Sequence, residues 1–249
     1  MVPEPLLKRR AAELGLGLAA IVREQAVLAS LDILRSLEHT WILRGGTALA
    51  YGYFDVHRLS EDLDLTSPGE PGETDALVGE LCNGLSVTLG QQVMWTEPVQ
   101  PLLAPGLRRV DLIWGDTNRL QIDFSWHEPT IDEPHSRSIE MPYPGYGSFD
   151  IPMWSLPELM ANKWFILDGR AEPRDLFDLW FGLTQFHVEW AELVRAHRDR
   201  YGFPPVLANI RRRGLRERWE SRLGPQIRDL PPFDEVEREL RWHVEFEQE

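Results

Sequence analysis

Two aspartates inside one short apolar segment place the strongest constraint on what this chain can fold into. Residues 59–65 have the sequence LSEDLDL, in which Asp62 and Asp64 alternate with leucines. Aspartate is depleted in β-strands, and successive side chains of a strand point to opposite faces of its sheet. The segment therefore predicts a strand that buries Leu63 and Leu65 on one face and presents two carboxylates on the other.

Two carboxylates at neighbouring positions of one face repel each other unless a cation lies between them. Magnesium takes hard oxygen ligands and leaves coordination positions for substrate phosphates. A second predicted strand repeats the pattern, because Asp123 shares a face with Gln121 and Ser125. We therefore predict that Asp62, Asp64 and Asp123 bind Mg²⁺, and three carboxylates can hold two such ions. The alternative is an edge strand whose outward charges prevent aggregation.

A glycine turn precedes this strand. Gly45, Gly46 and Thr47 follow a short β-run and open a predicted helix. Glycines let the backbone approach a ligand closely, and a helix N-terminus favours anions. The turn is therefore predicted to bind the triphosphate of a nucleotide. The alternative is an ordinary glycine turn in which Thr47 is the N-cap of the helix.

A lysine lies in the middle of an apolar helix face. Ser155 and Glu158 have the spacing of a capping box, which predicts that a helix begins there. Lys163 is four residues from both Leu159 and Leu167 and so shares their face. A lysine in this position either extends to solvent or meets an anion, and a triphosphate would be that anion.

The next predicted helix carries two aspartates. Asp175 lies in its first turn, where a carboxylate suits the helix dipole. Asp178 lies deeper, beside Phe177 and Leu179. We predict that Asp178 orients Lys163 or an approaching substrate hydroxyl.

Apolar periodicity and turn residues predict an α+β fold with a helical C-terminal half. The predicted helices cover residues 5–38 (divided near Gly15 and Gly17), 74–90, 156–168, 173–187 and 189–200. The predicted strands cover residues 41–43, 59–65, 108–114 and 119–125, the last two forming a hairpin. Residues 129–157 are rich in proline and glycine, which places a boundary between residues 1–150 and a helical domain, residues 151–249.

Charge and composition narrow the class of protein. The 249 residues carry a formal net charge of -14. This charge argues against a protein that coats nucleic acid non-specifically, because the phosphate backbone requires a basic surface. Cys82 is the single cysteine, so an internal disulfide is impossible. No apolar run approaches the roughly 20 residues that cross a bilayer, and no signal peptide is recognisable. We therefore expect a cytoplasmic protein without a membrane partner.

An arginine-rich segment, residues 211–218, lies near the C-terminus. On a helix, four arginines of this segment could form a basic strip for an RNA acceptor: Arg211, Arg212, Arg216 and Arg218. The alternative is a solvated charged face, since Glu217 lies among them.

Five segments together resemble the motifs of the AbiEii-type nucleotidyltransferases, the first two of them forming the family's first motif. These proteins are the toxin halves of abortive-infection and related type IV toxin–antitoxin systems, and they include the MenT-like toxins of mycobacteria. The motifs occur in the family's order: LRGGTAL at 43–49, HRLSEDLDL at 57–65, QIDF at 121–124, LPELMANK at 156–163 and RDLFDL at 174–179.

The resemblance implies a polymerase-β-like nucleotidyltransferase core, a small mixed sheet flanked by helices, with an added helical domain. It implies that Asp62 and Asp64 are catalytic and bind Mg²⁺ together with Asp123. A nucleoside triphosphate would be the co-substrate, with its triphosphate facing Ser60 and the turn at 45–47.

The resemblance also implies roles for the helical domain, which would contribute Lys163 to hold phosphate and Asp178 for catalysis. Some family members add nucleotides to the 3′ end of tRNA and so block translation, and a cognate antitoxin protein is their partner. We therefore expect a magnesium-dependent nucleotidyltransferase toxin that acts on tRNA.

Two other functions stay open from the sequence. An enzyme of the same chemistry could act on a small molecule, such as an aminoglycoside, or on a protein hydroxyl, and the net charge of -14 suits a cationic small molecule. A non-catalytic binding module on the same fold is the other alternative. The three aspartates and Lys163 argue against that module.

Overall fold

The computed structural model describes residues 2–37, 41–66, 73–97, 106–126, 128, 130–170, 172–206 and 213–246. Within these residues a mixed seven-stranded sheet forms the centre of the molecule. Its strands are β1 (Ile42–Arg44), β2 (Asp62–Thr66), β3 (Val93–Thr96), β4 (Leu107–Trp114), β5 (Asn118–Ser125), β6 (His135–Glu140) and β7 (Ser148–Met153). Their order across the sheet is β3-β4-β5-β2-β1-β7-β6.

Helices flank the sheet. They are α1 (Glu4–Leu14), α2 (Leu18–Ser36), α3 (Gly45–Ala48), α4 (Glu73–Leu89), α5 (Leu156–Arg170), α6 (Pro173–Trp180), α7 (Trp190–Tyr201), α8 (Arg213–Leu223) and α9 (Phe233–Phe246). α3 and α6 each continue as one π-helical turn, Leu49–Tyr53 and Phe181–Gln185. In the part of the chain described, no single helix is both long and apolar enough to cross a membrane. α1 and α2 meet the requirements of length and composition only when taken together as a pair, which is bent by 113°.

The acidic strand β2 lies at the middle of the sheet, antiparallel to β1 and parallel to β5. Leu63 and Leu65 are fully buried and belong to the main hydrophobic core. The alternation of side chains puts Asp62 and Asp64 on the opposite face. The register pairs Asp64 with Asp123 of β5, so two of the three aspartates are lateral neighbours.

The predicted α+β class is confirmed, and so are most of its elements. α1 ends at Leu14, and the C-cap residue Gly15 has a φ of +65°, in the left-handed region that favours glycine. The predicted hairpin is present as β4 and β5, and β2 begins at Asp62 rather than at residue 59. β3 was not predicted.

No strand was predicted within residues 129–157, the segment in which the domain boundary was placed. β6 and β7 lie within this segment, and β7 pairs in parallel with β1. Phe149, Ile151 and Met153 alternate inward along β7, but prolines and glycines around them conceal the short alternation. The division into residues 1–150 and 151–249 stays a prediction, and residue 150 lies inside β7.

We predict that Leu63→Ala lowers the free energy of unfolding by about 2–5 kcal/mol, because it leaves a cavity beneath the central strand. Val87→Ala is the control: Val87 is 82% exposed, so its change is within about 0.5 kcal/mol. Urea denaturation followed by tryptophan fluorescence measures both. Equal effects of the two substitutions would contradict the burial of Leu63.

Candidate active site

A cleft of about 630 Å³ opens over the polar face of the sheet, and it brings together most of the predicted site residues. Asp62, Asp64 and Asp123 line it, as do Gly46, Ser60 and Lys163. Its cationic lining residues are Arg23, Arg58, Arg109, Arg119, Lys163, Arg170, Arg174 and Arg222, and its acidic ones are Glu61, Asp62, Asp64, Asp123 and Glu172. Basic side chains thus outnumber acidic ones in the lining, although four of them also pair with buried carboxylates outside it. The basic side chains that face the cleft suit an anionic ligand, in a chain of net charge -14.

The glycine turn packs directly against the side chains of this cleft. Gly45 has a φ of +70°, and a Cβ there would lie 2.0 Å from Oδ2 of Asp64. A Cβ on Gly46 would lie 2.5 Å from Nη2 of Arg58. Both positions therefore require glycine, because a larger residue would displace Asp64 or Arg58.

Thr47 does not have the position that the sequence predicted. The helix begins at Gly45 and its N-cap residue is Arg44, so the assignment of Thr47 as N-cap is wrong. The buried hydroxyl of Thr47 donates a hydrogen bond to the carbonyl oxygen of Asp62 (2.5 Å) and lies 2.8 Å from Oγ of Ser60. Thr47 thus fixes the beginning of β2, whereas Ser60 and Gly46 line the cleft.

Lys163 pairs with two carboxylates, which supply the anionic partner predicted for a lysine on an apolar helix face. Its Nζ lies 2.9 Å from Oδ1 of Asp175 and 2.8 Å from Oδ2 of Asp178. The capping box that begins α5 is present, with the amide of Glu158 donating to Oγ of Ser155 (3.4 Å). Lys163 therefore reaches the cleft from α5 with its charge fixed by α6.

Asp178 is fully buried and receives hydrogen bonds from three side chains. Arg58 donates to both of its oxygens (2.6 and 2.8 Å), and Nε2 of His57 lies 2.8 Å from Oδ1. Burial raises the pKa of Asp178, but the charges of Arg58 and Lys163 and the hydrogen bonds from Arg58 and His57 outweigh it and hold the pKa well below its ordinary value. Asp178 is therefore ionised at neutral pH and lies behind the cleft wall.

Arginines hold two of the three predicted metal ligands. Arg109 of β4 lies directly opposite Asp123 in the antiparallel register and donates to both of its oxygens at 2.6 Å. Arg174 donates to Oδ2 of Asp62 at 3.2 Å. The pKa of Asp123 is raised above its ordinary value. Burial and the charge of Asp64 raise it, and they outweigh the hydrogen bonds and charge of Arg109, which lower it.

The donor set has the chemistry that Mg²⁺ prefers, since three carboxylates from two adjacent strands line one cleft. In the described part of the chain, however, no three His, Cys, Asp or Glu side chains are arranged to hold a metal ion. Guanidinium groups supply the positive charge to Asp62 and Asp123 in this arrangement. The assignment of these aspartates as metal ligands stays a prediction.

No role was predicted from the sequence for Arg58, Arg109 or Arg174. The predicted hairpin, with its turn at residues 115–118, pairs residue 114 with 119 and would place Val110 opposite Asp123. The structure pairs Trp114 with Asn118 instead, and this shift of one residue places Arg109 opposite Asp123. No local signal existed for Arg58, whose partner Asp178 is 120 residues away.

The arginine-rich segment is described only in part. Arg211 and Arg212 lie outside the described residues. Arg216 forms an ion pair with Asp234, and Arg218 forms one with Glu172 (2.5 Å). The basic strip therefore stays a prediction.

Comparison with known proteins identifies a family. The family model described as "Nucleotidyl transferase AbiEii toxin, Type IV TA system" matches residues 27–242. No curated protein matches the chain in sequence. Among solved structures, the fold is similar to that of MenT4, a nucleotidyltransferase toxin from Mycobacterium tuberculosis H37Rv. The two have a TM-score of 0.71 and 18% identity, with 100% of this chain and 90% of that chain covered.

Two structures of the antibiotic-resistance factor ANT(2″)-Ia are more distant. A solution structure has a TM-score of 0.43 and 18% identity, with 73% of this chain and 94% of that chain covered. A crystal structure in complex with adenylyl-2″-tobramycin has a TM-score of 0.42 and 20% identity, with 72% and 99% covered.

We predict that Asp178→Asn lowers the free energy of unfolding by about 3–5 kcal/mol at pH 7, because buried cations lose a charged partner. Since the pKa of Asp178 is depressed in the folded state, its stabilisation is present above the unfolded pKa of about 4 and is lost as pH falls through the folded pKa. The difference in the free energy of unfolding between Asp178→Asn and wild type therefore becomes smaller as the pH falls. Urea denaturation at pH 7 and below pH 4 measures this, with the exposed Asp199→Asn as control. A difference in the free energy of unfolding that does not change with pH would contradict an ionised Asp178 in the folded state.

We predict opposite effects of alanine at two glycines. Gly45→Ala destabilises by at least about 1–2 kcal/mol, the cost of a left-handed alanine, because the new Cβ also collides with Asp64. Gly79→Ala, in α4 with no atom within 4 Å of the new Cβ, stabilises by up to about 1 kcal/mol. Thermal unfolding of the two variants measures this, and a Gly45→Ala protein as stable as wild type would contradict the close contact.

Proposed function

The chain belongs to the AbiEii family of type IV toxin–antitoxin nucleotidyltransferases, and on this premise we propose that it uses Mg²⁺ to transfer a nucleotide to the 3′ end of tRNA. The observation that carries the proposal is the cationic cleft, whose floor is formed by the aspartates of β2 and β5 beside a glycine turn. Modification of tRNA would block translation. Family membership also implies a nucleoside triphosphate co-substrate and an antitoxin partner.

In the proposed reaction a hydroxyl of the acceptor attacks the α-phosphate in line, and pyrophosphate leaves. Asp62, Asp64 and Asp123 would hold Mg²⁺, which neutralises developing charge on the phosphate oxygens when bound. Ser60 and the backbone at Gly46 lie on the cleft wall, where they would contact the triphosphate. The chain's contribution is to position the reactants and to stabilise charge.

We assign Asp178 a positioning role rather than proton transfer. It is fully buried behind the cleft wall, and its pKa lies well below the ordinary value. A general base works best when its pKa lies near the operating pH, which Asp178 does not satisfy. By holding Arg58 and Lys163, which do line the cleft, Asp178 would fix two cations beside the triphosphate.

The same charges favour a nucleic-acid acceptor over a cationic small molecule. Eight arginine and lysine side chains line the cleft against five acidic ones. A cationic acceptor would meet more basic than acidic side chains there, although the whole chain carries a net charge of -14. Arg170 and Arg222 have half-exposed side chains at this cleft and could meet the phosphates of an acceptor strand.

We predict that the protein labels tRNA when it is incubated with Mg²⁺, total tRNA and the correct α-³²P-labelled nucleoside triphosphate of the four. Asp64→Asn and Lys163→Gln each lower the labelling rate at least about a hundredfold, because each removes charge stabilisation at the phosphates. Asp199→Asn, an exposed aspartate outside the cleft, is the control. Chelation of Mg²⁺ abolishes labelling.

Parallel reactions with an aminoglycoside and with the protein fraction of a cell lysate test the other acceptors. Label on either of these, with none on tRNA, would overturn the tRNA assignment while retaining the nucleotidyltransferase. Labelling of tRNA that Asp64→Asn leaves intact would overturn the assigned site instead. If tRNA is the acceptor, its binding weakens steeply as salt is raised.

A further inference from the structure

Two arginines of the cleft bind the carboxylates that the proposed reaction needs for its cation. The side chains of Arg109 and Asp123 are largely buried, with exposed fractions of 20% and 11%, and their bidentate pair uses both carboxylate oxygens. The pair between Arg174 and Asp62 is longer and more open, with exposed fractions of 22% and 34%. Arg109 comes from β4 and Arg174 from the first turn of α6, so the two arginines approach the acidic floor from different elements.

A bidentate guanidinium and a divalent cation compete for the same oxygens. A carboxylate that accepts two short N–H···O bonds has its best lone pairs occupied. A guanidinium also repels an ion of the same sign at a few ångströms, and the repulsion is stronger in a partly buried site than in water. Binding of a divalent cation at Asp123 therefore requires that Arg109 move off both of its oxygens. At Asp62 the cation competes with Arg174 for Oδ2.

A triphosphate bound in the same cleft would offer the displaced arginines a new anionic partner. Arg109 and Arg174 both line the cavity that contains the glycine turn and Lys163. A guanidinium matches phosphate oxygens in the same bidentate way as it matches a carboxylate. A triphosphate arriving with its cation thus provides both the competitor at the aspartates and the new partner for the arginines.

We propose that Arg109 and Arg174 are phosphate-binding residues that hold Asp123 and Asp62 in the nucleotide-free enzyme and pass to the triphosphate when the nucleotide enters. This inference rests on the proposed function, since it assumes a divalent cation at these aspartates. The exchange makes the cation and the nucleotide bind cooperatively. The cation alone gives the aspartates a new partner but leaves the arginines without one, and the nucleotide alone does the reverse. In the absence of nucleotide the acidic floor is therefore a weak cation site.

The test separates binding of the cation alone from binding of the nucleotide. Mn²⁺ alone is titrated against the full chain and followed by electron paramagnetic resonance, for wild type, Arg109→Gln and Arg174→Gln. The four α,β-methylene nucleoside triphosphates are then titrated by calorimetry at a Mg²⁺ concentration that saturates each variant. Arg119→Gln is the matched control for Mn²⁺, because Arg119 also lines the cleft but pairs with Asp111.

We expect the arginine substitutions to change the affinities for Mn²⁺ and for the triphosphate analogue in opposite directions. Arg109→Gln binds Mn²⁺ about tenfold more tightly than wild type and the triphosphate analogue about tenfold more weakly, the effect of one charged hydrogen-bonding partner. Arg174→Gln changes both in the same directions but less, since its pair is longer. Arg119→Gln leaves Mn²⁺ affinity unchanged. If Arg109 had only a structural role, its substitution would weaken the binding of both ligands. Weaker binding of both Mn²⁺ and the triphosphate analogue by Arg109→Gln would therefore overturn the proposal.

Asp64→Asn distinguishes failure of this inference from failure of the proposed function. Mn²⁺ binding that is present in wild type, lost in Asp64→Asn and unchanged in Arg109→Gln overturns the exchange alone. Absence of Mn²⁺ binding in wild type and in both arginine variants overturns the metal site and the exchange with it. Thermal unfolding of each variant confirms that it is folded before the titrations are compared.

Discussion

The structure depends on one buried ion cluster, in which Asp178 joins three parts of the chain. Arg58 comes from the segment between α3 and β2, Lys163 from α5, and Asp178 from α6. Removing charges from water costs several kcal/mol each, so such a cluster persists only when every member is paired. Because two of its members also line the cleft, the same ion pairs that join the helices to the sheet set the positions of the cleft's cations.

The cleft illustrates how local charge can oppose overall charge. The chain as a whole is strongly acidic, yet arginines and lysine outnumber carboxylates around the acidic floor. These cations are not free, since Arg109, Arg174 and Arg170 each bind a carboxylate of the site or its wall. An anionic substrate therefore enters a site in which opposite charges are already close together. Its binding changes which charged groups pair with one another and creates no new charge on the protein.

Much of the fold and the floor of the site could be predicted, because their signals are local. The alternation of Asp62 and Asp64 with leucines specified a strand with one polar face, and the hairpin was marked by its turn. Lys163 was recognised because a lysine on an apolar helix face needs an anion, but its partners in the structure belong to the chain itself. Pairings across long sequence separations gave no such signal. β7 joins β1 across more than a hundred residues, and the partner of Arg58 was equally distant.

The separation of 120 residues between Arg58 and Asp178 has a consequence for the chain during its synthesis. At about 5–20 residues per second, a ribosome takes on the order of ten seconds to add the carboxylate after the guanidinium has been made. Gln226, which also contacts Arg58, follows later still. A chain released before α6 is complete holds the acidic strand and the glycine turn but lacks the anion that fixes Arg58 and Lys163. Products that terminate before Asp178 therefore lack the ion cluster that fixes Arg58 and Lys163, which is completed only after more than two thirds of the 249 residues have been translated.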